Sequence, residues 1–274
     1  MERIGALRLR THGSTGPSAI VLHGGPAAAG SAAPLAHGLS DSFQILEPWQ
    51  RGSGAKPLTV ASHIADLHAL ITSRCADMRP ALVGESWGAM LALAYAAAHP
   101  ETVAAVVLVG CGTFDPKSRA RLRATLAERK TAALQHQLEA LVEEFPDPAE
   151  RLKKEVALTQ ALYAYAPIDA ALDEIADEPF DMVAHNETWE DMLRLQQAGV
   201  YPAAFAAITS PVLMLHGKYD PHPGQMIRAS LAPYIRRLEY VEWENCGHSP
   251  WAEQFVRDEF FAVLREWLTR QLAQ

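Results

Sequence analysis

The 274 residues carry 32 acidic against 24 basic side chains, a formal charge of −8, with 49% apolar and 20% charged residues. That mix is ordinary for a folded globular chain and excludes a disordered tract, a collagen-like repeat or a disulfide scaffold. No stretch gathers Lys and Arg into a basic patch, so nucleic acid is not expected as a partner; no run approaches the roughly 20 apolar residues that span a bilayer.

The length suits one domain with room for an inserted subdomain. Glu2, Arg3, Arg8 and Arg10 interrupt the apolar N-terminus, unlike a secretory signal. The cysteines Cys75, Cys111 and Cys246 are odd in number and lack metal-ligand spacing, which points to a reducing, cytoplasmic setting.

In chain order, Ala19–Leu22, Phe43–Leu46, Ala81–Val83 and Val103–Val109 are short apolar runs that read as buried strands of a mostly parallel sheet. Between them, Val60–Thr72 has apolar residues at helical intervals, and Met90–Ala98 is an Ala- and Leu-rich helix stopped at His99-Pro100. From about Phe114 to Ala206 strand-like runs vanish and charged, Leu- and Ala-rich helical segments replace them. Residues 114–206 are therefore predicted to form a helical cap inserted into a core of residues 1–113 and 207–274. Val212–Leu215 and Leu238–Trp243 resume the strands, and Ala252–Leu272, with Phe255, Phe260, Leu264 and Trp267 at helical spacing, is predicted to pack as a helix on the sheet.

Gly84-Glu85-Ser86-Trp87-Gly88 matches G-x-S-x-G between a strand run and a helical run, the context of a nucleophile elbow. The turn is so tight that side chains at 84 and 88 would clash, and it aims Ser86 and the Trp87 amide at a helix N-terminus that favours negative charge. A serine hydroxyl needs a base, and the base an orienting acid, arranged along the chain as Ser, acid, His. Asp220 follows the strand run ending at Leu215, and His248 follows the next one. Asp115 is the alternative acid; His216 and His222 compete with His248 as base. The remaining histidines show no metal-ligand pattern, and neither metal nor cofactor is expected. A second oxyanion donor should come from the loop after an earlier strand, His23-Gly24-Gly25-Pro26, where Gly25 can present its amide unobstructed.

Together these motifs resemble the α/β-hydrolase superfamily. His23-Gly24-Gly25-Pro26, Gln50-Arg51-Gly52-Ser53-Gly54 and Gly84-Glu85-Ser86-Trp87-Gly88 are similar to the HGGPG loop, DQRGSG stretch and GGSWG elbow of the prolyl iminopeptidases. The chain departs from them at Ala27, at Trp49 in place of Asp, and at Glu85 in place of Gly. The resemblance implies an α/β-hydrolase fold, a Ser86–Asp220–His248 triad and a small-molecule ester or amide substrate. It also implies an iminopeptidase-type alternative, in which a cap carboxylate (Glu187, Glu190 or Asp191) would hold a substrate amine. Trp87, Glu187 and Trp189 are candidate substrate contacts, though a solvated helix face accounts for Glu187 as well, and core packing for Trp87 and Trp189. A non-catalytic ligand receptor on the same fold is the third possibility.

Overall fold

The structure is a computed structural model that describes residues 1–76, 78–168 and 178–273. Its frame is one eight-stranded sheet in the order β1-β2-β4-β3-β5-β6-β7-β8. Strands β3 (Ser18–Leu22), β4 (Gln44–Trp49), β5 (Ala81–Glu85), β6 (Ala105–Val109), β7 (Val212–Gly217) and β8 (Leu238–Trp243) are parallel, as the apolar runs predict. This is the mostly parallel α/β architecture of the α/β-hydrolase fold.

Side chains alternate across each strand, and here the alternation sorts the core into two layers. Ile20, Leu22, Leu82, Val106, Leu108, Val212 and Met214 face the cluster containing helices α2 (Val60–Arg74) and α3 (Trp87–Ala98). Their neighbours Ala19, Val21, Val83, Val107, Leu213 and Leu215 face the opposite cluster, filled by Leu35 and Leu39 of α1 (Ala33–Leu39) and by Phe260, Leu264 and Trp267 further on. Both faces are covered, so the strands read as unbroken apolar runs rather than as alternating ones.

Two strands escape the sequence reading. β1 (Glu2–Ile4) and β2 (Leu7–His12) form an antiparallel edge on β4. Leu7 and Leu9 face the core while Arg8 and Arg10 stack on the Trp49 ring, 4.3 and 4.8 Å from its centroid. Buried Glu47, opposite Arg10 in register, accepts hydrogen bonds from Arg10 and from His12 (2.7 Å), so its charge is not buried unpaired.

Between β6 and β7 the described residues are helical: α4 (Pro116–Arg129), α5 (Ala132–Glu144), α6 (Pro148–Thr159) and α7 (Met182–Gln197). One face of α7 docks on the core. Asp181 accepts from the Ser53 amide and hydroxyl, His185 meets the Pro26 carbonyl at 3.1 Å, Thr188 meets His63 at 3.0 Å, and Asp191 accepts from the Val60 amide. The chain then forms α8 (Gly224–Leu231) and the last helix, α9, over Arg257–Leu272.

That last helix begins five residues later than the sequence predicts. Pro250–Ala252 is a short 3-10 turn, and Gln254 donates its amide to Ala166, tying this stretch to the helical segment. Phe255 therefore lies outside the helix and is 64% exposed, not packed on the sheet. Among the described residues no helix is long and apolar enough to cross a membrane.

Candidate active site

Ser86 lies between β5 and α3 with φ 54° and ψ −113°, a conformation that L-residues rarely adopt. Its amide is clamped to the Val109 carbonyl of β6 at 2.8 Å. The flanking glycines are compulsory: a Cβ on Gly84 would lie 2.2 Å from the Gly88 carbonyl oxygen, and one on Gly88 would lie 2.2 Å from that of Leu22.

The loop after β3 lies against this elbow, where a Cβ on Gly24 would approach the Ser86 Cβ to 3.3 Å. Buried His23 organises it. The Gln50 amide donates to His23 Nε2 at 3.0 Å, so the proton sits on Nδ1, which donates to the Gly24 carbonyl at 2.9 Å. Burial pushes this imidazole down to about 4, keeping it neutral. The Gln50 side chain closes the network: its amide nitrogen donates to the His23 carbonyl at 3.0 Å and its oxygen accepts from Trp87 Nε1 at 2.7 Å.

Asp220, in the loop after β7, is buried and surrounded by donors. Its Oδ2 is 2.8 Å from His248 Nδ1 and 3.1 Å from His216 Nε2, while Oδ1 is 3.0 Å from His222 Nδ1 and accepts the His222 amide at 2.9 Å. Burial alone would raise its pKa, but the imidazoles hold the carboxyl well below the usual range. His216 Nε2 also faces the His222 carbonyl at 2.9 Å; both partners are acceptors, so this nitrogen carries the proton.

The same carboxylate treats its histidines unequally. Burial lowers His248, yet the charge and hydrogen bond of Asp220, helped by Glu85, raise it overall. For His222, stacked on His248 with centroids 4.7 Å apart, burial prevails and the pKa falls. Asp220, His222 and His248 offer donor atoms within 4.8 Å of one another, a spacing a divalent cation could bridge. Both imidazole Nδ1 atoms, however, are turned to the carboxylate as hydrogen-bond donors.

His248 is fixed from several sides. Its amide donates to the Tyr163 carbonyl at 2.9 Å, the Gly247 amide donates to Glu253 at 2.8 Å, and the Ser249 hydroxyl donates to Glu85 at 2.6 Å. Its ring lies over the end of β6, where a Cβ on Gly110 would come 3.0 Å from Nδ1 and Cε1. Since Ser86 is clamped to Val109, the residue before Gly110, the serine and the imidazole flank one strand end. A cavity of about 80 Å³ beside His248 is bordered by Tyr163, Ala164 and Pro167 of the helical segment.

Other sequence candidates fall elsewhere. Asp115 caps α4, accepting from the Ser118 amide at 2.9 Å and its hydroxyl at 2.6 Å. The Trp87 ring is 1% exposed and edge-on to His63, within the core layer of α2 and α3. Glu187 accepts the Leu58 amide at 2.8 Å, and Asp191 takes Val60 at 2.9 Å, both just ahead of or at the start of α2, where free amides and the helix dipole attract carboxylates. Trp189 packs, partly buried, against the α2–α3 core layer. Glu187 and Trp189 are thus docking contacts of α7. Sequence reasoning overlooked Glu85, Glu253 and Gln50 as supports, and the bonds of His216 and His222 to the acid.

The sequence profile described as "Alpha/beta hydrolase family" matches residues 19–262. A Lactobacillus helveticus protein named proline iminopeptidase is 25% identical over 92% of this chain and 90% of its own length. A Shewanella oneidensis cis-3-alkyl-4-alkyloxetan-2-one decarboxylase is 31% identical, with the match spanning 36% of this chain and 34% of that protein. Among solved structures, a serine hydrolase involved in carbazole degradation superposes with a TM-score of 0.68 at 19% identity, covering 97% of this chain and 96% of that one. A monoacylglycerol lipase from Paleococcus ferrophilus gives 0.66 at 18% identity, covering 97% and 99%. With this fold, and with the profile spanning most of its length, the chain belongs to the alpha/beta hydrolase family and is an enzyme of the hydrolase class.

Proposed function

We propose that the chain is a serine hydrolase that cleaves a small ester or amide through an acyl-enzyme. What carries this is one juxtaposition: a strained Ser86 on a glycine-flanked elbow, at the strand end over which His248 lies, with Asp220 2.8 Å behind that imidazole. His248 Nε2 takes the Ser86 proton as Oγ attacks the substrate carbonyl. The Gly25 and Trp87 amides hold the oxyanion, the imidazolium protonates the leaving group, and water, deprotonated by His248, releases the acid and restores Ser86. No metal or organic cofactor is needed for these steps. Residues 114–206 act as a cap, with the substrate between it and the C-terminal ends of the strands.

An ester or a neutral amide is favoured over an aminoacyl substrate because the N-capping Asp181 and two of the three α7 carboxylates are committed to the core, Asp181 to Ser53, Glu187 to Leu58 and Asp191 to Val60, while the third, Glu190, is exposed. An iminopeptidase must hold a free amine, and the committed groups already accept backbone amides. The second reading, a proline iminopeptidase, draws on the 25% identity over 92% of the chain. Parallel assays on p-nitrophenyl acetate, p-nitrophenyl butyrate and proline p-nitroanilide separate the two. Faster turnover of the esters is expected; a strong preference for the prolyl anilide would overturn the ester reading.

A further inference from the structure

Two carboxylates beside the base remain without a role in acyl transfer. Glu253 is saturated: one oxygen accepts the Gly247 and Tyr165 amides, the other the Ala166 amide, at 2.7 to 2.8 Å. It joins the helical segment to the His248 loop. Glu85 differs. It is the residue before Ser86, is buried, and uses Oε1 to accept from Ser249, the residue after His248, and from Trp251 Nε1 at 2.9 Å. The Ser249 contact, 2.6 Å, lies in the range of hydroxyl bonds to an ionised oxygen.

We infer that Glu85 is a positioning residue for His248, a second carboxylate that anchors the loop carrying the base to the nucleophile strand and sets a negative charge beside the imidazolium. The inference rests on Ser86 and His248 as nucleophile and base. It gives a purpose to the position where this chain departs from the iminopeptidase-like elbow, which has glycine.

Charge arithmetic around His248 supports it. From the loop after β7 come Asp220 and His222, from β7 His216, from the helical segment Tyr163, and from the 246–253 stretch Cys246 and Glu253. Burial raises the Tyr163 phenol and the Cys246 thiol and lowers His222, so these are neutral near pH 7. Glu253 spends its charge on three amides. Asp220 and Glu85 are left as the anions that favour the imidazolium, and both act to raise His248. Burial, with Asp220, raises Glu85 on balance, against the opposing pull of Ser249, His248 and Trp251.

The test is the pH profile of kcat/KM for Glu85→Gln, which keeps an acceptor for Ser249 and Trp251 but loses the charge. The acid limb should move to lower pH by about half a unit or more, since the imidazolium loses a stabilising anion, with kcat reduced roughly threefold to thirtyfold. A limb at the wild-type pH overturns the inference. Glu85→Asp retains charge with a shorter reach: a wild-type limb with lower kcat supports the inference, and a limb displaced downward overturns it. This variant decides alone if Glu85→Gln does not fold. Ser86→Ala keeps the two levels apart. If that variant still turns over ester, the nucleophile assignment fails; if it is dead and Glu85→Gln has a wild-type limb, only the role of Glu85 fails.

Discussion

Asp220 Oδ2 stands 2.8 Å from His248 Nδ1, while both oxygens of the alternative acid, Asp115, are occupied by Ser118. The two aspartates should separate cleanly on mutation. Asp220→Asn should lower kcat by about three to four orders of magnitude, because the amide no longer fixes the tautomer or stabilises the imidazolium. Asp115→Asn should leave turnover near wild type and lower stability by at most ~1 kcal/mol, the scale of a helix cap. Initial rates on p-nitrophenyl acetate and urea midpoints check both.

Activity should fall on the acid side at a pH above the ordinary histidine value. His248 is raised above 6.5 by Asp220, and general-base catalysis needs its neutral form, so kcat/KM is full above the raised pKa and lost as pH falls through it. A limb centred below 6.5 would contradict the hydrogen-bonded dyad.

Stability should have its own acid dependence, to which two other histidines contribute. His23 and His63 are lowered by burial to about 4, so between pH 6.5 and 4 the unfolded chain takes up protons that the folded one refuses. Above 6.5 neither state is protonated and nothing is lost. Between pH 6.5 and 5 each should cost about 2 kcal/mol, at 1.36 kcal/mol per unit. Urea unfolding across that range checks the slope, and His63→Asn should reduce it by His63's share.

The residues proposed as catalytic are legible in the sequence because their constraints are local. Gly84, Ser86 and Gly88 are required by one turn, and Asp220 and His248 each end a strand run in the right order. What surrounds them was not legible, because it depends on register between distant segments. Glu85 meets Ser249 across 164 positions, and Glu187 meets Leu58 across 129. His216 and His222 resembled competing bases; only the curl of the loop after β7 turns both onto Asp220. The Leu7–Leu9 alternation signalled β2, but the intervening arginines masked it, since their partners Trp49 and Glu47 lie in another strand.

Glu187 separates docking from substrate binding. Glu187→Ala leaves the Leu58 amide without its acceptor and should lower stability by roughly 1 kcal/mol. The ratio of prolyl anilide to ester turnover should not change. A collapse of anilide turnover alone would make Glu187 an amine-binding residue after all.

Ser86 as an activated nucleophile is tested most directly by a fluorophosphonate probe followed by peptide mapping. The wild type should be labelled stoichiometrically on the peptide containing Ser86, with parallel loss of esterase activity, while Ser86→Ala should fold, resist labelling and be inactive. Absence of labelling in the folded wild type, or equal labelling of Ser86→Ala, would contradict it.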